Sequence, residues 1–482
     1  MSAPAAAAPV VYKFGGTSVA GADRIRHVAR LVEDGPRPLV VVVSAMAGVT
    51  DTLQRLAAMD GPAPADVELV TSELLQRHLA VLDDLAEARA AGAGDLGSTG
   101  ARRAPDAASD ARARIEERID ALRAAALGRG ALTRRMRDDE VLSAGEDLSQ
   151  QLVVAALRGR GVEAEAADAR DLVVTDARFG RAAPDRQRTR QACDRRLGPL
   201  LGRGGVVVVQ GFVGATPERQ TTTLGRGGSD FSASILGGAL AAESVHIWTD
   251  VSGVLSGDPT EVDSARLLGE IGFEELVELS WAGARVLHPV AAKWAVAEGV
   301  PLRIRNSFHP EDPGTRVRND VRGAAEIAAV SVKRGVALIK VRSHPVALPY
   351  GFLARVFGVL GRHRLEVDLV ATSHSSTAFT IDDATELDEV AAELGTFADV
   401  EVARDLATIT VVGRGLMAQP GLGGQVFVVV GDTPVHLTSQ ASDVSLSLVV
   451  DAPRAADLTR RLHAALIGEA AGRPRRSARG SP

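Results

Sequence analysis

The chain reads as an α/β protein built on a mainly parallel sheet, followed by two small α+β modules. Three observations predict this. Apolar, β-branched runs at 10–14 (VVYKF), 39–43 (LVVVV) and 205–210 (GVVVVQ) are separated by segments of helical period. Short β-branched runs of this kind suit strands covered by helices on both faces. The length of 482 residues exceeds the roughly 250–300 at which a single core stops growing, so two or three domains are expected. Finally, a unit repeats near the C-terminus: Gly351-Phe352-Leu353-Ala354-Arg355-Val356-Phe357 parallels Gly421-Leu422-Gly423-Gly424-Gln425-Val426-Phe427, and Val367-Asp368-Leu369 parallels Val435-His436-Leu437. Each copy continues into alternating strands, Ser376 to Asp382 and Val444 to Val450, giving paired strand–helix–strand–strand units.

Taken in order, residues 1–9 have neither a basic nor an apolar targeting pattern and read as a disordered extension. The first strand passes through a glycine turn into a helix at 21–33. Helical patterns at 66–90 and 111–127 flank residues 91–110, rich in Gly, Ala and Pro, which read as a flexible insertion. A helix is expected at 231–242, capped by Ser229 or Asp230. Composition shifts at Pro310 to Gly314, which bounds a first domain at 10–315. The Arg-, Gly- and Pro-rich tail, 471–482, reads as disordered.

Composition narrows the function. The net charge is −6 and aromatics are 3% of residues, which argues against a polyanion-binding surface or a base-stacking platform, so no nucleic acid is expected. No run approaches 18 apolar residues, so no membrane span is expected and the cytoplasm is the default. Cys193 is the only cysteine; it can form neither an intrachain disulfide nor a cysteine metal cluster and reads as a small buried hydrophobe. Trp248, Trp281 and Trp294 read as core packing, and no protein-held metal site is assigned.

Two segments carry chemistry. Of 55 Lys and Arg, only four are lysine (13, 293, 333 and 340), and Lys13 sits in Tyr12-Lys13-Phe14-Gly15-Gly16-Thr17-Ser18. An ammonium on a thin stem suits a point charge beside phosphate oxygens, and glycines let backbone approach a ligand. The second segment is Thr221-Thr222-Thr223-Leu224-Gly225-Arg226-Gly227-Gly228-Ser229-Asp230 before a helix. Amides at a helix start cradle an anion, Arg226 adds a fork for carboxylate or phosphate, and Asp230 is suited to orienting Lys13 or helping to hold Mg²⁺. The pattern G-x-x-x-x-G-K-[ST] is absent, which excludes a P-loop enzyme.

KFGGTSVA, VSAMAGVTDTL, SAGED, TDARFGRAAPD, QGFVG, TTTLGRGGSD, WTDVSGV and GARVLHP occur in an order and spacing that resembles the aspartokinases of the amino-acid kinase family. The likeness covers roughly residues 10–465, and the repeat resembles their tandem ACT domains, in particular those of the monofunctional lysine-sensitive type. It implies a three-layer amino-acid kinase sandwich and two ferredoxin-like ACT domains, one at 335–402 and one formed by 326–333 with 403–468. It also implies phosphorylation of the L-aspartate β-carboxylate by MgATP, the first step toward lysine, threonine and methionine.

Carried over by position, Lys13, Arg226 and Asp230 are catalytic. Ser44, Thr50, Glu146, Phe212, Arg226 and Ser229 surround aspartate, with Glu146 receiving its ammonium. Lys13, Gly15, Gly16, Thr249, Asp250, Leu255, Asp258, Thr260, Arg285 and Val286 meet the nucleotide. Three of these depart from the resembled pattern: Leu255 stands where tyrosine is usual, Thr260 for arginine and Arg285 for lysine. Reshaped or weakened ATP binding is therefore expected. Phe352, Leu353, Val367, Asp368 and Ser373 match an effector pocket, with Asp368 meeting an ammonium. Lysine is the first candidate effector and threonine the second, and a homodimer or homotetramer through the ACT domains is expected. His288 reads as structural. Two alternatives stay open: an amino-acid sensor with a degenerate kinase domain, or a kinase for another small amino acid.

Overall fold

The computed structural model describes residues 7–92, 107–129, 133–284, 287–319, 326–343, 351–373, 375–382 and 387–468. The expected insertion core at 93–106, Arg285 and Val286, and the tail from 469 onward lie outside them, as do residues 1–6. The chain divides into two compact units, residues 1–253 with 286–319, and 254–285 with 320–482.

The first unit begins with β1 (Val10–Phe14), α1 (Ala22–Glu33), β2 (Leu39–Val43) and α2 (Val49–Ala58). The long helices α3 (Pro64–Gly92), α4 (Ala107–Ala126) and α5 (Arg134–Gly159) follow. Then come β3 (Ala164–Ala167), α6 (Arg186–Leu201), β4 (Val206–Gln210), the hairpin of β5 (Val213–Ala215) and β6 (Thr221–Thr223), α7 (Gly228–Ala239) and β7 (Ser244–Thr249). After β8 (Glu270–Gly272) and α8 (Phe273–Trp281), which fall in the second unit, the first unit resumes with α9 (Pro289–Glu298), β9 (Leu302–Asn306) and β10 (Thr315–Arg318).

Its sheet runs β3-β4-β2-β1-β7-β9-β10. Every pair is parallel except β9 with β10. All five residues of β2 and of β4 are buried, as uninterrupted valine runs require. The ends of β1, β2, β4 and β7 line up at one edge, where parallel α/β sheets bind ligands.

In the second unit, β11 (Glu326–Ser343) leads to α10 (Phe352–Arg362), β12 (Val367–Thr372), β13 (Ser376–Asp382), α11 (Leu387–Gly395), β14 (Ala398–Arg414), α12 (Leu422–Val430), β15 (Val435–Ser442), β16 (Ser445–Asp451) and α13 (Ala452–Leu466). The antiparallel sheet order is β12-β13-β11-β14-β16-β15. The two longest strands, β11 and β14, are shared between the repeats. Val336 to Ser343 pairs with Leu406 to Ala398 in the first module, and Ile327 to Lys333 pairs with Gly413 to Thr408 in the second. Separate apolar cores lie beneath them, one around Val356, Phe379 and Val390, the other around Val426, Leu448 and Leu458.

Two expectations need correction. Trp248 is 2% exposed, but Trp281, at the end of α8, is 44% exposed and is not core. Helix α7 starts three residues before the expected 231 and is capped by neither Ser229 nor Asp230; its N-cap is Gly227, at φ 69°. A left-handed residue there favours glycine, and a Cβ at Gly227 would overlap His288.

Candidate active site

Lys13 lies next to last in β1, between Val42 and Ile247 of the flanking strands. Its side chain is 11% exposed, and Nζ lies 2.6 Å from Asp230 Oδ1, in the first turn of α7. A lysine held between parallel strands thus presents its charge beside the amides of a helix start that have no intrahelical acceptor. Gly15 and Gly16 continue this edge. A Cβ on Gly16 would stand 2.7 Å from the Ala45 carbonyl, so the backbone after β2 already demands glycine there. That segment is tied to the turn, since Ser44 N–H donates to Phe14 O (3.1 Å) and Ala47 N–H to Gly16 O (3.2 Å). Thr50, in the first turn of α2, is half-buried.

Glu146 comes from the middle of α5 and is 4% exposed. Its carboxyl accepts from the Ala45 N–H, while Oε2 is buried without a partner. Burial pushes its pKa up to about 8, against the lowering effects of the Ala45 amide and the Lys13 charge. A buried acid with an open oxygen is poised to receive a cation or a proton.

The turn after β4 supplies Phe212, a non-glycine residue at φ 68°. It is held there by its N–H donating to Ser232 Oγ (2.9 Å) and its carbonyl accepting from Leu224 N–H (2.9 Å). Such conformations cost about 1–3 kcal/mol and cluster at functional sites. The turn packs against α7: a Cβ on Gly211 would lie 2.6 Å from Ser229 Oγ, and one on Gly228 2.5 Å from the Phe212 ring. Ser229 is half-buried and Arg226 exposed.

At the end of β7, the Thr249 carbonyl accepts from Ser307 N–H (2.7 Å) and Oγ (3.0 Å), and Thr249 Oγ1 donates to Asp250 (3.1 Å). Ser307 Oγ also accepts from Ser18 Oγ at 2.8 Å, as its own proton goes to Thr249.

Leu255, Asp258 and Thr260 belong to the second unit. There Leu255 bridges to Leu267, and Asp258 accepts from Thr260 N–H (2.9 Å) and Oγ1 (2.6 Å). Arg285 and Val286 fall outside the described residues.

Sequence reasoning missed the groups that set these positions. Beside Glu146, Asp147 points to Arg118 (2.6 Å), Arg170 (3.0 Å) and Gln210 (2.9 Å). Burial would raise its pKa, but the two guanidinium groups hold it below the usual carboxylate range. Asp139, 1% exposed, accepts from the N–H groups of Gly180 and Thr223 (both 2.9 Å) and from Thr223 Oγ1 (2.7 Å), anchoring β6 just before the glycine loop. The only signal in the sequence was the acid-rich run Asp138-Asp139-Glu140.

Among the expected effector residues, Phe352 and Val367 pack against the first module's core, and Leu353 is 43% exposed. Ser373 N–H donates to Ser376 O at 2.8 Å. Asp368 already has an ammonium: Lys333 Nζ lies 2.5 Å from it and 2.6 Å from Asp382. A groove of about 590 Å³ crosses this sheet face, lined by Arg342, Thr372, Ser373, Glu401 and Thr438 among others; of the five effector residues only Ser373 lines it. Among the described residues, no group of three or more His, Cys, Asp or Glu could hold a metal, and no helix is long and apolar enough to cross a membrane.

Residues 8–306 match the amino acid kinase family and residues 409–466 an ACT domain. The chain belongs to the amino acid kinase family. It is 35% identical to the lysine-sensitive aspartokinase 3 of Escherichia coli, covering 95% of this chain and 99% of that one. The structure of E. coli aspartokinase III with aspartate and ADP, in the R-state, superposes with a TM-score of 0.79 at 34% identity, again over 95% and 99%. The same enzyme with lysine and aspartate, in the T-state, gives the same values. Within its family the chain is an aspartokinase, an ATP-dependent aspartate kinase with ACT regulatory modules.

Proposed function

We propose that this aspartate kinase transfers the ATP γ-phosphoryl group to the β-carboxylate of L-aspartate at the edge formed by β1, β2, β4 and α7. The observation that carries this is the Lys13–Asp230 pair at 2.6 Å beside the first-turn amides of α7. Phosphoryl transfer needs positioning and charge neutralisation more than covalent chemistry. Lys13 supplies the charge next to the transferring group, and Asp230 fixes the direction of the ammonium. Aspartate brings one ammonium and two carboxylates. Glu146, with a buried unpaired oxygen, takes the ammonium; Arg226 answers a carboxylate; Ser44, Thr50 and Ser229 add hydroxyls around it; and the Phe212 turn seats α7.

Thr249, Asp250, Leu255, Asp258, Thr260, Arg285 and Val286 are assigned to the nucleotide with Gly15 and Gly16. Mg²⁺ bound by ATP phosphates needs only one or two protein carboxylates, and Asp230 is of the right kind; bound there, the ion would neutralise phosphate charge. Phe352, Leu353, Val367, Asp368 and Ser373 are assigned to an effector. The E. coli relative is described as lysine-sensitive and has been solved with lysine, so lysine is the first candidate here and threonine the second. Assembly is expected as a homodimer or homotetramer through the ACT modules, in the cytoplasm.

The test is formation of aspartyl hydroxamate from MgATP and L-aspartate with hydroxylamine present to trap the acyl phosphate, set against a panel of other small amino acids. Turnover selective for aspartate supports the reading. Turnover of another amino acid in its place, or ligand binding without turnover, opposes it.

A further inference from the structure

Within the second unit, residues 254–268 form a hairpin whose two arms are joined to α13 by one imidazole. Its own ladder is Ser256 N–H to Arg266 O (2.9 Å), Leu268 N–H to Val254 O (2.9 Å) and the Leu255–Leu267 bridge. His463, on α13, is 1% exposed. Its Nε2 lies 2.8 Å from Ser256 Oγ and its Nδ1 3.4 Å from Ser264 Oγ. Ser256 is fully buried, and its Oγ accepts the Arg266 N–H at 3.0 Å. The ring thus bridges two hydroxyls, one from each arm of the hairpin, in either neutral tautomer. A Cβ on Gly257 would come within 3.3 Å of the His463 ring, so the glycine keeps the close approach open. The Ser256 carbonyl accepts from Val330 N–H on β11 (2.9 Å), and Arg334 pairs with Glu261. The hairpin carries Leu255, Asp258 and Thr260, and its tip is shaped by the bonds from Thr260 to Asp258.

We infer that His463 is a positioning residue for the nucleotide: through Ser256 it fixes the hairpin that carries Leu255, Asp258 and Thr260. This rests on the assignment of those three residues to the nucleotide. It assigns to α13 a part in the kinase reaction that does not depend on an effector being bound.

The test is steady-state kinetics on the full chain for His463→Ala, His463→Gln, Ser256→Ala and Asp258→Ala, with hydrogen exchange of the peptide spanning 254–268. His463→Ala and Ser256→Ala should each raise the KM for ATP about fivefold or more, the effect of one lost hydrogen bond of ordinary strength. The KM for aspartate and kcat should stay within about twofold. Exchange in 254–268 should quicken, and His463→Gln, whose amide can either accept from or donate to Ser256, should recover much of both effects. Ser256→Ala removes only a hydroxyl, so it keeps the test alive should His463→Ala fold poorly. An unchanged KM for ATP in these variants, or equal rises in both KM values, overturns the inference. If Asp258→Ala leaves the KM for ATP unchanged, the nucleotide assignment falls and the inference falls with it. If Asp258→Ala raises that KM while His463→Ala and Ser256→Ala do not, only the inference fails.

Discussion

Glu146 shows how far a single residue's role depends on its surroundings. In the sequence it is one acid in SAGED, indistinguishable from a surface glutamate. In the fold it is buried with one oxygen unpaired, and its pKa is pushed up to about 8. An acid raised above its unfolded value of 4.5 makes the folded state hold the extra proton between the two values. Stability is therefore lost as pH rises from about 4.5 to about 8, then levels off. Thermal melts of Glu146→Gln against the parent chain should show a stability advantage that grows between pH 5 and pH 8; an advantage independent of pH would contradict the assignment. Binding of an ammonium at Glu146 must also expel this proton, so the KM for aspartate should fall as pH approaches 8, and Glu146→Gln should flatten that profile. Lys13 and Asp230 were legible because a lysine in an arginine-rich chain and an acid after GRGGS are conspicuous. Asp147 was not, because its partners Arg118 and Arg170 are 29 and 23 residues away in sequence.

Secondary elements were legible where one force dominates. β1 and β2 coincide with the runs that predict them: LVVVV is apolar throughout, VVYKF is apolar but for Lys13, and both are too short and too β-branched for a helix. The end of α7 nearest the site was not, because its cap depends on a positive φ at Gly227 and on packing against His288. Two changes test how elements set the site. Gly211→Ala places a methyl 2.6 Å from Ser229, so α7 must shift. Activity should fall at least about tenfold, while denaturant unfolding shows a loss of only about 1–3 kcal/mol. Asp147→Ala removes the buried acid between two half-buried arginines and should destabilise the chain by about 3–5 kcal/mol in the same measurement. A cost below about 1 kcal/mol, the level of a surface pair, would mean the cluster is solvated.

At the scale of the whole molecule, the repeat disclosed two α+β modules and the resemblance divided the second around the first, but neither disclosed that β11 and β14 run unbroken through both. Sharing follows from pairing of strands far apart in sequence, which local patterns do not encode. Nor did the sequence reveal that Asp368 is already neutralised by Lys333, with Asp382 completing the cluster. A free amino acid reaching Asp368 must compete with this tethered ammonium. Lys333→Met should therefore lower the L-lysine concentration needed for half-inhibition, and Lys333→Arg should not; a rise in that concentration would mean that Lys333 supports the effector instead. The catalytic claim is tested most directly by the hydroxamate assay with MgATP and L-aspartate on the parent chain, Lys13→Ala and Lys13→Arg. The account predicts robust turnover in the parent and a loss of at least about a hundredfold in kcat for Lys13→Ala, of the order seen when one charge-stabilising donor is removed. Lys13→Arg should recover little, because a planar fork does not replace a point charge at the end of β1. Turnover within a few-fold of the parent in Lys13→Ala would contradict it.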